Sequence, residues 1–161
     1  MHIKSAIVLA AALVAGTAGA QGLVTQRSLS MNAALELAQA SLEKCRADGY
    51  LVTVTVINRH ATVLVTLSDD GVNPHTVENS MRKAYTAFTT RTPTVEMAKR
   101  GQPGLASFML LDKITALDGA LPIFAGKELV GAIGISGAPG GEKDTACANV
   151  GMQKIAKYLA N

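Results

Sequence analysis

The chain has 161 residues, a formal net charge of +3, 4% aromatic residues and no tryptophan. So mild a charge does not make a polyelectrolyte binder, and so few aromatic rings leave little on which bases could stack, which argues against nucleic acid as a partner. The length suits one domain with a genuine hydrophobic core.

Residues 1–20 combine one lysine, Lys4, with an apolar run from Ala6 to Ala15 and the small-residue site Ala18-Gly19-Ala20. This is the pattern of a cleaved secretory signal peptide. Its apolar run is too short to span a bilayer, so no stable membrane insertion is expected after cleavage. The expected mature domain is 21–161, in the periplasm or secreted.

Ser28 or Ser30 can cap a first helix running to about Asp48, because Met31, Ala34, Leu35, Ala38, Leu42 and Cys45 recur at helical spacing and Gly49 supplies a stop. Leu51 to Ile57 alternates valine with threonine and predicts a strand with one core face. Asn58 to Ala61 reads as a hairpin turn, and Thr62 to Ser68 as the returning strand. Asn73-Pro74 then opens a second helix whose apolar stripe would be Val77, Met81, Ala84, Tyr85 and Phe88. Thr92-Pro93 starts a short third helix through about Lys99, ended by Arg100-Gly101-Gln102-Pro103-Gly104. Leu105 to Leu111 is compatible with a helical turn or a strand.

Three strands are expected next, at Ile114 to Ala116, Leu121 to Phe124 and Leu129 to Ser136. The last is apolar or glycine from Leu129 to Ile135, the mark of a strand buried on both faces. Gly131 and Gly134 within it remove side chains where close packing is expected. A glycine-rich turn, Gly137 to Gly141, leads to a final helix from Asp144 to Leu159, with Cys147, Val150, Gly151, Ile155 and Tyr158 on one side. Hairpin connections favour an antiparallel sheet, and the apolar central strand needs helices on both of its faces. The fold class is therefore α/β in the α+β sense.

Familiar catalytic motifs fail here. Lys143 is followed by Asp144, not Ser or Thr, so the glycine-rich turn is not a Walker loop. Gly134-Ile135-Ser136-Gly137-Ala138 lacks the final glycine of a nucleophile elbow, and Pro139 interrupts the passage to the helix. After signal cleavage only His60 and His75 remain as histidines, without zinc spacing. Cys45 and Cys147 lie on the apolar faces of the first and last helices; in an exported protein they suggest a disulfide, the alternative being two buried free thiols.

A set of short motifs in order carries a resemblance: Asp70-Gly71, Lys83-Ala84-Tyr85-Thr86-Ala87, Thr92-Pro93-Thr94, Gly119-Ala120-Leu121-Pro122-Ile123, Val130 to Gly137, and Asp144. Together these resemble the GlcG/HbpS family of haem-binding proteins over essentially the whole mature chain. The resemblance implies a profilin-like, three-layer α/β/α domain with a five-stranded antiparallel sheet of order 2-1-5-4-3. It also implies haem b as ligand and assembly into homo-oligomers. Two departures stand out: Asn58-Arg59-His60-Ala61 where relatives carry D-x-x-G, and Gly119-Ala120 where they carry a double glycine.

With haem as the implied ligand, His75 is the foremost axial candidate. It sits at a helix start, which favours the neutral imidazole that coordinates iron. His60, at a hairpin tip, is the other imidazole. Arg82 lies seven residues beyond His75 on the same helical face and could pair with a haem propionate. Lys83 and Tyr85 are further pocket candidates from the family-like motif. The reading is an exported haem-binding protein, for sequestration, sensing or carriage, with no catalytic residue assigned. The rival reading is an enzyme or accessory protein for a small organic acid held by Arg82, Lys83 or Arg91.

Overall fold

The computed structural model describes residues 22–99 and 105–160. The expected signal peptide and the Arg100 to Gly104 turn lie outside the described residues. The elements are α1 (Met31–Ala47), β1 (Thr53–Asn58), β2 (Val63–Ser68), α2 (His75–Thr90), α3 (Thr94–Lys99), α4 (Leu105–Phe108), β3 (Ala120–Ala125), β4 (Glu128–Ser136) and α5 (Gly141–Leu159). Among the described residues one antiparallel sheet runs in the order β2-β1-β4-β3. The apolar strand expected at the centre is β4, flanked by β1 and β3.

The expected strand at Ile114 to Ala116, and with it the five-strand order 2-1-5-4-3, is not what forms. This segment is irregular because its amide groups are taken up outside any ladder: Ile114 N–H by Leu111 O and Thr115 N–H by Thr86 Oγ1 of α2. Amides so engaged cannot enter a ladder. Leu105 to Phe108 resolves as a helical turn.

Ser30 caps α1 by accepting from Ala33 N–H, and Gly49 follows the helix with φ +83°. α1 and α5 cover one face of the sheet. Val52, Val54, Val56, Ile133 and Ile135 are fully buried against Ala34, Leu37, Ala38, Cys45, Cys147 and Ile155. Each large aliphatic side chain so buried contributes about 1.5–3 kcal/mol. A Cβ on Gly151 would run into Ser41 and Leu37, so glycine there lets the two helices cross closely. At the same crossing Cys45 and Cys147 form a disulfide, Cα to Cα 5.5 Å.

α2 covers the other face by different means. The threonine side of β1, expected to be wet, is buried completely: Thr53 Oγ1 lies 2.8 Å from Thr76 Oγ1, and Thr55 Oγ1 lies 2.8 Å from Ser80 Oγ. β1 thus has two core faces, one aliphatic and one hydroxylic. α2 is also turned by about one residue from its expected stripe. Thr76, Ser80, Lys83, Ala84 and Ala87 face inward, while Val77 is exposed and Met81 and Tyr85 are half-buried. Gly134 explains the rotation, since a Cβ there would meet the Ser80 carbonyl and the Ala84 amide. The helix backbone rests on the strand, and only small residues fit between them.

Candidate functional site

The irregular ends of β4, α2 and α5 meet around a polar cleft of about 260 Å³. Its walls include His75, Asn79 and Lys83 from α2, Leu117 and Asp118 from the segment before β3, and Ser136 and Asp144 from β4 and α5. The chain folds this way locally because Asp118 acts as a tie. Its Oδ1 accepts from Gly119 N–H and from the hydroxyls of Thr94 and Thr145. Asn79 Nδ2 donates to Ser136 Oγ at 2.9 Å, joining α2 to the end of β4.

At the base of the cleft lies an ion pair. Lys83, 4% exposed, donates from Nζ to Asp144 Oδ2 at 2.8 Å and to Ile135 O at 2.9 Å. Asp144 Oδ1 accepts from Ala138 N–H, which fixes the glycine-rich turn. Burial pushes the Asp144 carboxyl up, while the Lys83 ammonium and the Ala138 N–H oppose that rise. Gly119, with φ +123°, packs so tightly on this pair that a Cβ would lie 2.7 Å from Lys83 Nζ. Lys83 and Asp144 therefore brace α2, β4 and α5 against one another; the ammonium is engaged with protein groups.

The other residues singled out by sequence divide clearly. His75 is exposed at the mouth of the cleft and its ring has no hydrogen-bond partner among the described residues. Arg82, on the same side of α2, has a buried Nε without a hydrogen-bond partner, while its Nη1 is 3.6 Å from Glu78 Oε1. Tyr85 is half-buried, with Lys113 Nζ 5.8 Å from its ring centre. His60 is exposed on the β1-β2 hairpin and is not part of this group; its N–H donates to Asn58 Oδ1. Arg91 closes the far end of α2, a helix of 16 residues and so about 24 Å long, well away from the cleft. Asn79, Ser136 and Asp118 were not anticipated. Nothing in their spacing marks them, since three different elements bring them together.

Haem needs a donor to iron, an apolar surface for the macrocycle and a hydrogen-bonding or cationic partner for its propionates. The outward side of α2 carries all three kinds of group: the unpartnered His75 ring, the exposed Val77 with Met81 and Tyr85, and Arg82 with its orphaned Nε. Leu117, 55% exposed, adds apolar surface beside the cleft. The polar cleft is too small and too hydrophilic to enclose a macrocycle, so these groups suit a ring laid on the surface of α2. Among the described residues no three His, Cys, Asp or Glu side chains converge on a metal-sized site, and no helix is long and apolar enough to cross a membrane.

The fold and sequence place the chain among known proteins. A double mutant of HbpS from Streptomyces reticuli is 35% identical, with a TM-score of 0.78 over 90% of this chain and 97% of that one. PduOC, solved as a complex with haem, is 26% identical, with a TM-score of 0.72 over 79% of this chain and 94% of that one. An uncharacterised 15.0 kDa protein of Citrobacter freundii, encoded between dhaT and dhaS, is 28% identical over 114 residues, covering 68% of this chain and 80% of its own. The family of HbpS-like haem-degrading proteins matches residues 29–153, and the chain belongs to that family.

Proposed function

We propose that the protein is an exported haem-binding protein that holds haem b on the outward side of α2. The observation that carries this reading is that α2 presents an exposed imidazole, a partly exposed apolar flank and an arginine with a buried Nε that has no hydrogen-bond partner among the described residues. The haem complex of PduOC, which shares the fold, supports it. In this reading His75 would hold the haem iron and Arg82 a propionate, and Tyr85 would add apolar surface for the macrocycle. Lys83 keeps α2 in place from behind through Asp144. Bound haem would supply an iron centre open to redox and ligand exchange, and the chain's part is to orient and retain it. The disulfide supports export, because such bonds persist in oxidising compartments. Assembly into homo-oligomers belongs to the same proposal.

The polarity of the cleft favours one second reading, a site for a small organic acid reaching Asn79 and Ser136. Of the basic residues proposed for that role, Lys83 is paired with Asp144 and Arg91 lies distant.

Absorbance titration of the purified protein with haem, oxidised and then reduced, separates the readings. A saturable Soret shift at micromolar haem is expected. A spectrum equal to that of free haem throughout, together with a rise in melting temperature on adding small carboxylates, would overturn the haem assignment in favour of the second.

A further inference from the structure

The polar cleft holds more hydrogen-bonding capacity than the protein itself uses. Ser136 is 3% exposed, and its Oγ accepts from Asn79 Nδ2, which leaves the hydroxyl proton without an acceptor among the described residues. Lys83 Nζ carries three N–H groups, of which Asp144 Oδ2 and Ile135 O take two. Asn79 keeps a second amide N–H. All three side chains line the same cavity. Buried donors are rarely left unmatched, so these require an acceptor from outside the chain.

Asp118, on the same cavity wall, supplies the opposite need. Its Oδ1 accepts from Gly119 N–H and from the hydroxyls of Thr94 and Thr145, while Oδ2 has no partner among the described residues. The charged side chains lining the cleft are Lys83, Asp118 and Asp144, and Lys83 is matched to Asp144. The uncompensated charge is therefore that of Asp118. A simple carboxylate entering the cleft meets a like charge, whereas a ligand that also carries an ammonium meets a partner.

The two needs lie close together. Gly119, the residue after Asp118, packs so near Lys83 that a Cβ there would fall 2.7 Å from Nζ. The cationic and anionic ends of a ligand must then be neighbours, as they are in an α-amino acid, where one carbon joins them. The cavity, about 260 Å³, is smaller than the roughly 300 Å³ at which pockets for drug-sized ligands begin, so the side chain must be small.

We propose that the cleft binds a small α-amino acid as its zwitterion. The carboxylate accepts from Lys83 Nζ, Ser136 Oγ and Asn79 Nδ2, and the ammonium donates to Asp118 Oδ2. The proposal rests on the cleft of the second reading above and narrows its ligand from organic acids to amino acids. It does not depend on haem, which is assigned to the outward side of α2.

The test is calorimetric titration, with thermal melting, of the wild-type protein, Asp118→Asn and Ser136→Ala. The probes are L-alanine, propionate, which lacks its ammonium, and ethylamine, which lacks its carboxylate. In the wild type, alanine is expected to bind saturably and to raise the melting temperature, with the other two at least about tenfold weaker. Asp118→Asn keeps the Oδ1 acceptor but removes the charge, and is expected to weaken alanine about tenfold or more and to erase its advantage over propionate. Ser136→Ala is expected to weaken alanine and propionate alike and to leave ethylamine unchanged. If circular dichroism shows either variant unfolded, the other variant and the wild-type series decide. Absence of binding at roughly 10 mM alanine, ten times a millimolar dissociation constant, would overturn the proposal and leave water as the occupant. Propionate binding the wild type as tightly as alanine would also overturn it, while the broader organic-acid reading would survive. So would an alanine affinity unchanged in folded Asp118→Asn.

Discussion

The two faces of the sheet bury the same strands with opposite chemistry. On the α1/α5 face, aliphatic side chains interdigitate and a disulfide fastens the two helices. On the α2 face, hydroxyl pairs, alanines, a backbone contact at Gly134 and one buried ion pair do the holding. The first arrangement tolerates small adjustments, because apolar contacts have no preferred direction. The second is directional and fails when a single partner is lost. It also fixes the position of α2, whose outer side carries the proposed haem groups.

The sharpest way to break the contrast is to remove half of the ion pair. Asp144→Ala leaves the Lys83 ammonium buried without its carboxylate and should cost about 3–5 kcal/mol in urea unfolding. The double variant Lys83→Met with Asp144→Leu should recover most of that loss. Recovery there would show that the single variant suffers from the orphaned charge and not from lost volume.

The apolar face is probed by its disulfide. Cys45→Ser combined with Cys147→Ser should cost about 2–5 kcal/mol, and its effect should couple to that of the ion-pair variants, because Cys147 follows Asp144 by less than one turn of α5. Thr55→Val should cost less, about 1–2 kcal/mol, because it deprives Ser80 and Thr66 of a hydroxyl partner while keeping side-chain size.

The smallest effect is on pH dependence. The folded-state carboxyl of Asp144 sits above its ordinary value of 3.8, so the native state binds this proton more tightly than the unfolded chain does. Its contribution is therefore fully present below about 3.8 and is lost as pH rises through the raised folded value. The double Lys83→Met, Asp144→Leu variant should lack this decline, so its stability relative to wild type should rise as pH is raised from acid towards neutral. A difference independent of pH would contradict the assignment.

Much of this architecture can be read along the chain because local rules govern it. The central strand shows in the unbroken apolar run from Leu129 to Ile135, α1 in its serine cap and terminal glycine, and the β1-β2 hairpin in its alternation. What escaped depends on partners remote in sequence. Thr53 and Thr55 look like a solvent face because alternation cannot reveal that Thr76 and Ser80 will meet them. The expected α2 stripe is offset because Gly134, more than forty residues on, admits the helix backbone where side chains would otherwise pack. Likewise, Lys83 is recognisable as part of a motif, but its bracing role becomes visible only beside Asp144. Ile114 to Ala116 has strand-forming residues, and Thr86 captures an amide that a strand would need.

The central claim, that the outward side of α2 holds haem through His75, is tested most directly by haem titration of His75→Ala beside His60→Ala and wild type. The account predicts that His75→Ala loses or blue-shifts the low-spin Soret band with unchanged circular dichroism, and that His60→Ala keeps the wild-type spectrum. An unaltered spectrum in His75→Ala, with the change appearing in His60→Ala instead, would contradict it.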